Sequence, residues 1–596
     1  MSTHAATLAR ERSIRLRLLL VHRAAAPLAL ALLSLALIAV TWNTWGNPGS
    51  DTGYDTLAGV RVAHGELPYV DFTYYYGPLA PFALGLASWL GGAGMWPAIG
   101  FGLVVALAIV FATFELGRSL AGPLGGFLAG ALAAAVAFSP NELSFVDPHT
   151  SSATLAVLLM LCFVLFLRRF ASTGGGAWVV AAGVCAGLVW LTRFEYVLAV
   201  SVTAVVWLGV RLHARLATRR EVALFVAPAV GIPAAVYGAF LTAVSARRLL
   251  YENLYPRHFL HATGDVVLRA RMPWTISSFV SLGAKLVLYA LGVAALLWVA
   301  RLLDRGGRLR VTVAGALGLA LVIAVVASFA DPEALRHGLK YAYGWIPAGA
   351  AIAAVWALWR AWRGRAASDA TSQTELLLVV ALAVVAATTY AGFFIEAFKP
   401  QMAAYALPLA APLLVRLHLR RVGRAHSTVL LGALWILLLA AATTGLALKD
   451  ASADSVTLHG PGGTIAVPRA DAAKYRAAIA AIESRTRPGE PIFLAPQLTW
   501  LYTLTERSNP LPQLTLLPGV FASAADERAA IRRLDAADVR LAVVDLHPYT
   551  AYDTGSFGTS FDRVLAGWLR RDFTPLTTVA GSGAQDKIEV WTRRGS

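Results

Sequence analysis

The side chains best equipped for chemistry are acids gathered in two polar stretches. GNPGSDTGYDTLAGVRVAHGELPYVDFTYYYGPLAPF, residues 46–82, carries Asp51, Asp55, Glu66 and Asp71, and SPNELSFVDPHT, residues 139–150, carries Glu142, Asp147 and His149. A carboxylate within reach of a hydroxyl can take its proton as a general base. Two carboxylates and a histidine could instead ligate a divalent cation, although the Glu142, Asp147, His149 spacing matches no compact metal motif. Elsewhere stands a cationic set, Arg247, Arg248, Arg257, His258, Arg269, Arg271, Arg336, His337, Lys340 and Lys399. Such groups hold phosphate by charge-assisted hydrogen bonds.

Each of these has a plainer use. Asp51 precedes the helix-like TGYDTLAGVRVAHG, and Asp is a favoured N-cap. Lys340 and Lys399, at expected outer helix ends, serve equally as snorkelling anchors. Lys285, inside an apolar run, is a functional candidate by default or an outward snorkel. Asp545 and His547, closing the strand-like VRLAVVDL, read as a solvated strand exit before they read as a catalytic pair. Tyr69, Tyr74, Tyr75 and Tyr76 offer faces to a sugar or a prenyl chain, but aromatics gather at membrane interfaces without any ligand.

The elements that position these residues follow from composition. Of 596 residues, 57 % are hydrophobic and 14 % charged, and the mean hydropathy is +0.62, values that exclude an ordinary soluble domain. The net charge of +17 does not imply nucleic acid, because the arginines stand in short clusters between apolar runs. Those runs have about the 20-residue length that spans a bilayer core. Cys162 and Cys185 both lie in apolar segments, so cysteine says nothing of redox compartment.

The first run, 24–45, follows a basic stretch and lacks a clear cleavage site, which predicts a retained helix with its N-terminus inside. Further spans are expected near 95–117, 122–138, 150–167, 178–192, 194–211, 221–244, 277–300, 311–329, 341–359, 375–396, 402–417 and 427–447, thirteen in all. Alternate loops then carry the basic clusters (Arg118, Arg168 with Arg169, RLHARLATRRE, RLLDRGGRLR, RAWRGR, RLHLRRVGRAH), as the positive-inside rule requires. Counting the short run Leu79 to Leu90 as a span would invert that pattern, so an interfacial helix is expected there. The acids and the scattered cations fall in the opposite loops, outside.

From about Asp450 the composition becomes that of a soluble domain. EPIFLAP and VRLAVVDL read as strands, and KYRAAIAAIESRT, ADERAAIRRLDAAD and SFDRVLAGWLRR as helices. The expected organisation is a transmembrane catalytic region, 1–449, and an extracytoplasmic α/β domain, 450–596. No glycine-rich phosphate loop follows either strand, and no internal repeat occurs.

Several motifs together carry a resemblance. The first helix leads directly into a polar loop with an early aspartate and then GELPYVDFTYYYGPLAPF; DPHTSSATLAVLLML opens a helix; AGLVWLTRFEY marks a short reversal. KPQMAAYALPLAAPL, with Tyr405, comes late in the membrane region, and LTERSNPLP lies in the terminal domain. This pattern resembles the membrane-embedded GT-C glycosyltransferases, in particular the bacterial relatives of protein O-mannosyltransferases and lipid A aminoarabinose transferases.

The resemblance implies a polytopic helical fold in the plasma membrane and a polyprenyl-phosphate sugar donor used on the outer face. The acceptor would be a cell-envelope glycan, lipid or protein, and nucleic acid is no partner. Asp51 is then the expected catalytic base, with Asp71 and Asp147 as substitutes, because many relatives have Asp-Glu where this chain has Asp51 followed by Thr52. Arg257, Arg336, Lys340 and Lys399 would hold the donor phosphate, and Tyr69, Tyr74, Tyr405 and His149 would line the substrate site. No cofactor is required, although a divalent metal on Glu142 and Asp147 is possible. The polar, aromatic first loop would then wall a reaction chamber bordering lipid.

Two rivals remain. A glycan polymerase or ligase consumes a diphosphate-linked donor, and a secondary transporter usually shows repeated halves. The arginine pattern makes the topology testable: a reporter active only in the cytoplasm, fused after Ser596, should stay silent. A strong signal from it would invert the helix parity and move every outer-loop residue inside.

Overall fold

The computed structural model describes residues 24–46, 52–140, 144–148, 150–262, 354–360, 369–390, 400–422, 455–552, 554–581 and 586–595, with residues 280, 287, 291, 298, 312 and 316. Helix α1 spans Ala24–Val40, and its neighbouring hydroxyls turn inward: Ser34 donates to Leu30 O (2.9 Å) and Thr41 to Leu37 O (2.8 Å). Then come α2 (Tyr54–Ala63), α3 (Leu79–Gly91), α4 (Met95–Ala137), α5 (Ser151–Thr173), α6 (Gly176–Val189), α7 (Phe194–His213) and α8 (Arg219–Ala243). Two later helices are α9 (Ala370–Tyr390) and α10 (Pro400–Val422). Among the described residues α4, α5, α7 and α8 are long and apolar enough to cross a membrane, and α1, α3 and α6 are shorter apolar helices.

The two spans expected at 95–117 and 122–138 are the two limbs of α4. Its backbone leaves the helical region at Ala121 and Gly122. The left-handed φ of 75° at Gly122 suits glycine, and Pro123 restarts the helix where its missing N–H costs nothing. The limbs fold back on each other: a β-carbon on Gly126 would lie 2.9 Å from Phe114 O, twelve residues earlier. Small residues permit this approach where water provides no driving force between helices. At the same end Arg416 of α10 pairs with Glu375 and donates to Leu120 O (2.5 Å). The short run expected to lie at the interface is α3, thirteen residues long, with Leu86, Trp89 and Leu90 exposed. Of the spans expected near 277–300, 311–329 and 341–359 only residues 280, 287, 291, 298, 312, 316 and 354–359 are described, and the span near 427–447, with the count of thirteen, lies outside the described residues.

The terminal region begins with an antiparallel hairpin, β1 (Ser455–Gly460) and β2 (Gly463–Pro468). It continues through α11 (Arg469–Arg485), β3 (Phe493–Ala495), α12 (Thr499–Thr505), α13 (Ala524–Ala536), β4 (Leu541–Asp545), α14 (Arg563–Asp572), β5 (Phe573–Ala580) and β6 (Lys587–Arg593). The sheet order is β3-β4-β6-β5, with β3 and β4 parallel and the other pairs antiparallel. All five residues of β4 are buried, as its unbroken apolar run requires for a central strand. The strands β1, β2, β5 and β6 were not expected from the sequence; β5 contains Pro575 and a register shift, features of an edge.

This region packs directly on the first polar loop. Leu57, Tyr69, Phe72 and Tyr74 share one apolar core with Trp500, Leu501 and Leu504. Arg61 of α2 reaches across to donate to Leu511 O (2.7 Å), lies over the Phe72 ring and pairs with Glu66. Thr73 N–H donates to Pro512 O (2.8 Å). Arg61→Met strands a buried carbonyl and should cost about 1–3 kcal/mol. Glu66, whose side chain is 36 % exposed, is re-solvated when its partner is lost, so Glu66→Gln should cost under about 1 kcal/mol. Thermal unfolding of the purified variants orders the two; equal losses would assign Arg61's contribution to the exposed ion pair.

Candidate functional site

Asp55 is the second residue of α2 and is buried. Its Oδ1 accepts the Tyr74 hydroxyl at 2.7 Å, and its Oδ2 accepts the Ser151 N–H at 2.5 Å. Both partners are donors, so the group between them is held as an acceptor. The Ser151 amide is the first of α5, where unsatisfied N–H groups carry the positive end of the helix dipole. Thr150 caps that helix by accepting the Ser152 N–H (3.2 Å). Burial first, and then the Asp55 charge, push the Tyr74 phenol well above its usual range, so Tyr74 remains a donor.

Asp147 lies beside this anchor, on the loop that leads into α5. Phe145 N–H donates to Ala137 O (2.9 Å), Ser144 Oγ accepts Val146 N–H (2.8 Å), and Phe145 packs on Tyr405 of α10 at 5.4 Å. These contacts fix the loop. The Thr52 hydroxyl hydrogen-bonds the Asp147 carboxyl. A side chain on Gly46, whose φ is 86°, would overlap both groups, so the end of α1, the start of α2 and the second outer loop meet here. Burial first and the Asp55 charge second raise the Asp147 carboxyl to about 7, against the pull of the Thr52 hydrogen bond. Two neighbouring acids thus receive different tasks: one anchored by donors, the other poised to gain and lose a proton near neutral pH.

The segment carrying Tyr74 is held on every side. Its N–H donates to Asn253 Oδ1 (3.1 Å), and Tyr75 N–H donates to the Tyr54 hydroxyl (3.3 Å). Gly77 N–H and Leu79 N–H donate to Thr192 O (2.8 Å) and Leu191 O (3.0 Å) in the turn between α6 and α7. In that turn Arg193 and Glu195 form a buried pair (2.9 Å) under the Tyr76 ring. A row of stacked rings runs outward from the acids: Tyr74 to Tyr54 (5.6 Å), Tyr54 to Tyr75 (6.1 Å) and Tyr75 to Phe259 (5.5 Å). Phe259 follows the exposed Arg257 and His258, so the row runs from the acids to two basic residues.

The other expected residues are placed as follows. Asp51, Glu142, His149, Arg336, Lys340 and Lys399 lie outside the described residues, as do Lys285, Arg269, Arg271 and His337. The N-cap expected at Asp51 is instead Gly53, in a left-handed conformation with no side-chain cap, because α2 starts at Tyr54. Asp71 is exposed, and its Oδ2 accepts the Leu67 N–H (2.7 Å) within its own turn. Tyr69, Tyr74 and Tyr405 are fully buried, and the Tyr69 hydroxyl donates to Tyr76 O (2.5 Å). Asp545 accepts the His547 N–H (2.8 Å) at a strand exit near Lys474, which pairs with Asp586 (2.5 Å). Among the described residues no group of three His, Cys, Asp or Glu side chains could hold a metal. The sequence offers Asp55 as one acid among several and does not single out Thr52, since their partners lie far along the chain.

No family model matches the sequence, and no curated protein matches it. Among similar solved structures is the Archaeoglobus fulgidus oligosaccharyltransferase in complex with zinc and sulfate, at 13 % identity and a TM-score of 0.48, covering 95 % of this chain and 73 % of that one. Another is ArnT from Cupriavidus metallidurans in the apo state, at 14 % identity and a TM-score of 0.43, covering 94 % of this chain and 97 % of that one. The same ArnT bound to undecaprenyl phosphate gives 12 % identity and a TM-score of 0.41, with 95 % and 98 % covered. Both proteins are GT-C glycosyltransferases, the superfamily that the sequence resembles. With TM-scores below 0.5, function is argued from the site's own residues.

Proposed function

We propose that this chain is an integral-membrane glycosyltransferase that moves a sugar from a polyprenyl-phosphate donor to an acceptor hydroxyl on the outer face of the membrane. The observation that supports this reading is the enclosure that brings the Asp147 carboxyl and the Thr52 hydroxyl together beside Asp55, itself held by Tyr74 and Ser151, where burial raises Asp147 to about 7. The bond from the anomeric carbon to the phosphate oxygen breaks, and polyprenyl phosphate departs with the electron pair. The acceptor oxygen forms the new bond, and its proton passes to the carboxylate. A phosphate leaving group needs no general acid. It needs cations, and Arg257, Arg336, Lys340 and Lys399 are assigned to it. A base with an affinity near the working pH serves best, since a useful fraction is ionised and the driving force for proton transfer is retained.

Asp147 is assigned as this base. Asp51, onto which the resemblance puts that role, directly precedes the Thr52 whose hydroxyl binds Asp147. Asp147→Asn should lower turnover by about 100-fold to 10,000-fold. Release of polyprenyl phosphate from polyprenyl-monophosphate sugars, or of polyprenyl diphosphate from diphosphate sugars, provides the readout. Wild-type turnover should rise about tenfold per pH unit up to pH 7 and then level. Near-normal turnover in Asp147→Asn with collapse in Asp51→Asn would move the base to Asp51. Transfer from the diphosphate donors alone would make the chain a polymerase or ligase.

The same titration predicts a stability effect. An unfolded aspartate titrates near 3.9, so burying Asp147 contributes stability that is complete below about pH 4 and is lost as pH rises through about 7. Asp147→Asn should therefore melt higher than the wild type at pH 8 but not at pH 4; a gain equal at both would show an ordinary carboxyl. Chelation offers a separate check on a divalent cation at Glu142 and Asp147. Turnover should survive EDTA, and loss restored by a divalent metal would reassign Asp147 from base to ligand.

A further inference from the structure

The terminal region reaches the acid site through the start of α12. Thr499, buried at the start of α12, donates its hydroxyl to the Thr52 carbonyl at 3.2 Å. The next residue, Trp500, lies against Gly53 so closely that a β-carbon there would meet its backbone. Trp500 is itself immobilised, its ring fully buried and edge-on to Tyr475 of α11 at 5.2 Å. The Tyr502 hydroxyl donates to Ile492 O (3.2 Å) and accepts the Leu494 N–H (3.1 Å), which ties α12 to β3. A rigid element of the terminal domain thus grips the Thr52–Gly53 peptide from one side while the Thr52 side chain binds Asp147 on the other.

We propose that Thr499 is a positioning residue for the acid pair: its hydroxyl sets the Thr52–Gly53 peptide, and through it the Thr52 hydroxyl that hydrogen-bonds Asp147. This gives the terminal domain a part in the chemistry and rests on the assignment of Asp147 as base. Neither Thr499 nor α12 touches the reacting atoms in this scheme. The domain acts by holding one peptide plane, and Gly53 lets it come close enough to do so.

The test uses the full-length protein in lipid nanodiscs. The Asp147 carboxylic-acid band, identified by its loss in Asp147→Asn, is titrated by infrared spectroscopy, and release of polyprenyl phosphate is followed in parallel. In Thr499→Val the Thr52 hydrogen bond loosens, so the midpoint should move up by about one pH unit from about 7. At pH 7 kcat should fall about fivefold with little change in the donor KM. Thr499→Ser, which keeps the hydroxyl, should restore both. An unmoved midpoint or an unchanged kcat in Thr499→Val would overturn the proposal, and Thr499→Ala against Thr499→Ser replaces the comparison if the valine variant does not fold. Absence of a band titrating near 7 in the wild type would instead overturn the assignment of Asp147, whatever Thr499 does.

Discussion

The arrangement depends on one buried carboxylate and its two donors. Removing Asp55 from water is offset by the Tyr74 hydroxyl and the Ser151 amide, which replace hydration. Those two hydrogen bonds join three parts of the chain that are remote in sequence: the start of α2, the tyrosine-rich end of the first loop and the first turn of α5. Any fold that satisfies Asp55 must bring these parts together. Once they are together, the loop before α5 carries Asp147 into the same enclosure, and a second negative charge there is opposed by the first.

The surrounding loops can be understood as support for that pair. The tyrosine-rich segment is tied to Asn253 on one side and to the turn between α6 and α7 on the other. The second outer loop rests on α4 and α10. The terminal domain shares a core with the first loop, so α2 is clamped between membrane helices and a mixed sheet. A loop so polar and aromatic at the exit from a membrane helix is explained by these contacts. Its buried acid, Asp55, needs donors, and its rings provide both a hydroxyl and the apolar surface on which the terminal region packs.

Much of this was legible in the sequence where local rules decide. Apolar run length and arginine placement located the helices that are described, including the break between the limbs of α4 and the short α3. The apolar run VRLAVVDL became the buried central strand β4. What was illegible involves partners far along the chain. Asp55 and Ser151 are 96 residues apart, and no spacing rule links them. Residue type alone favours Asp51 as an N-cap, its plainer use, yet α2 starts after a left-handed Gly53 whose close contact with Trp500 belongs to tertiary packing. Tyr69 and Tyr74, which the sequence offers equally to a ligand and to the membrane interface, are fully buried in a core shared with α12. The edge strands escaped notice because Pro575 and a run of threonines carry no apolar alternation.

The central claim is that sugar transfer takes place at Asp147. A structure of the protein with a non-transferable phosphonate analogue of the polyprenyl-phosphate sugar tests it most directly. Reacting atoms about 3–3.5 Å apart, and a base about 2.6–3.2 Å from the acceptor oxygen, place a carboxylate oxygen of Asp147 within roughly 6 Å of the anomeric carbon. The account predicts that separation, with the phosphate turned toward the cationic residues. A headgroup bound on the opposite face of the membrane, or an anomeric carbon walled off from Asp147 by protein, would contradict it.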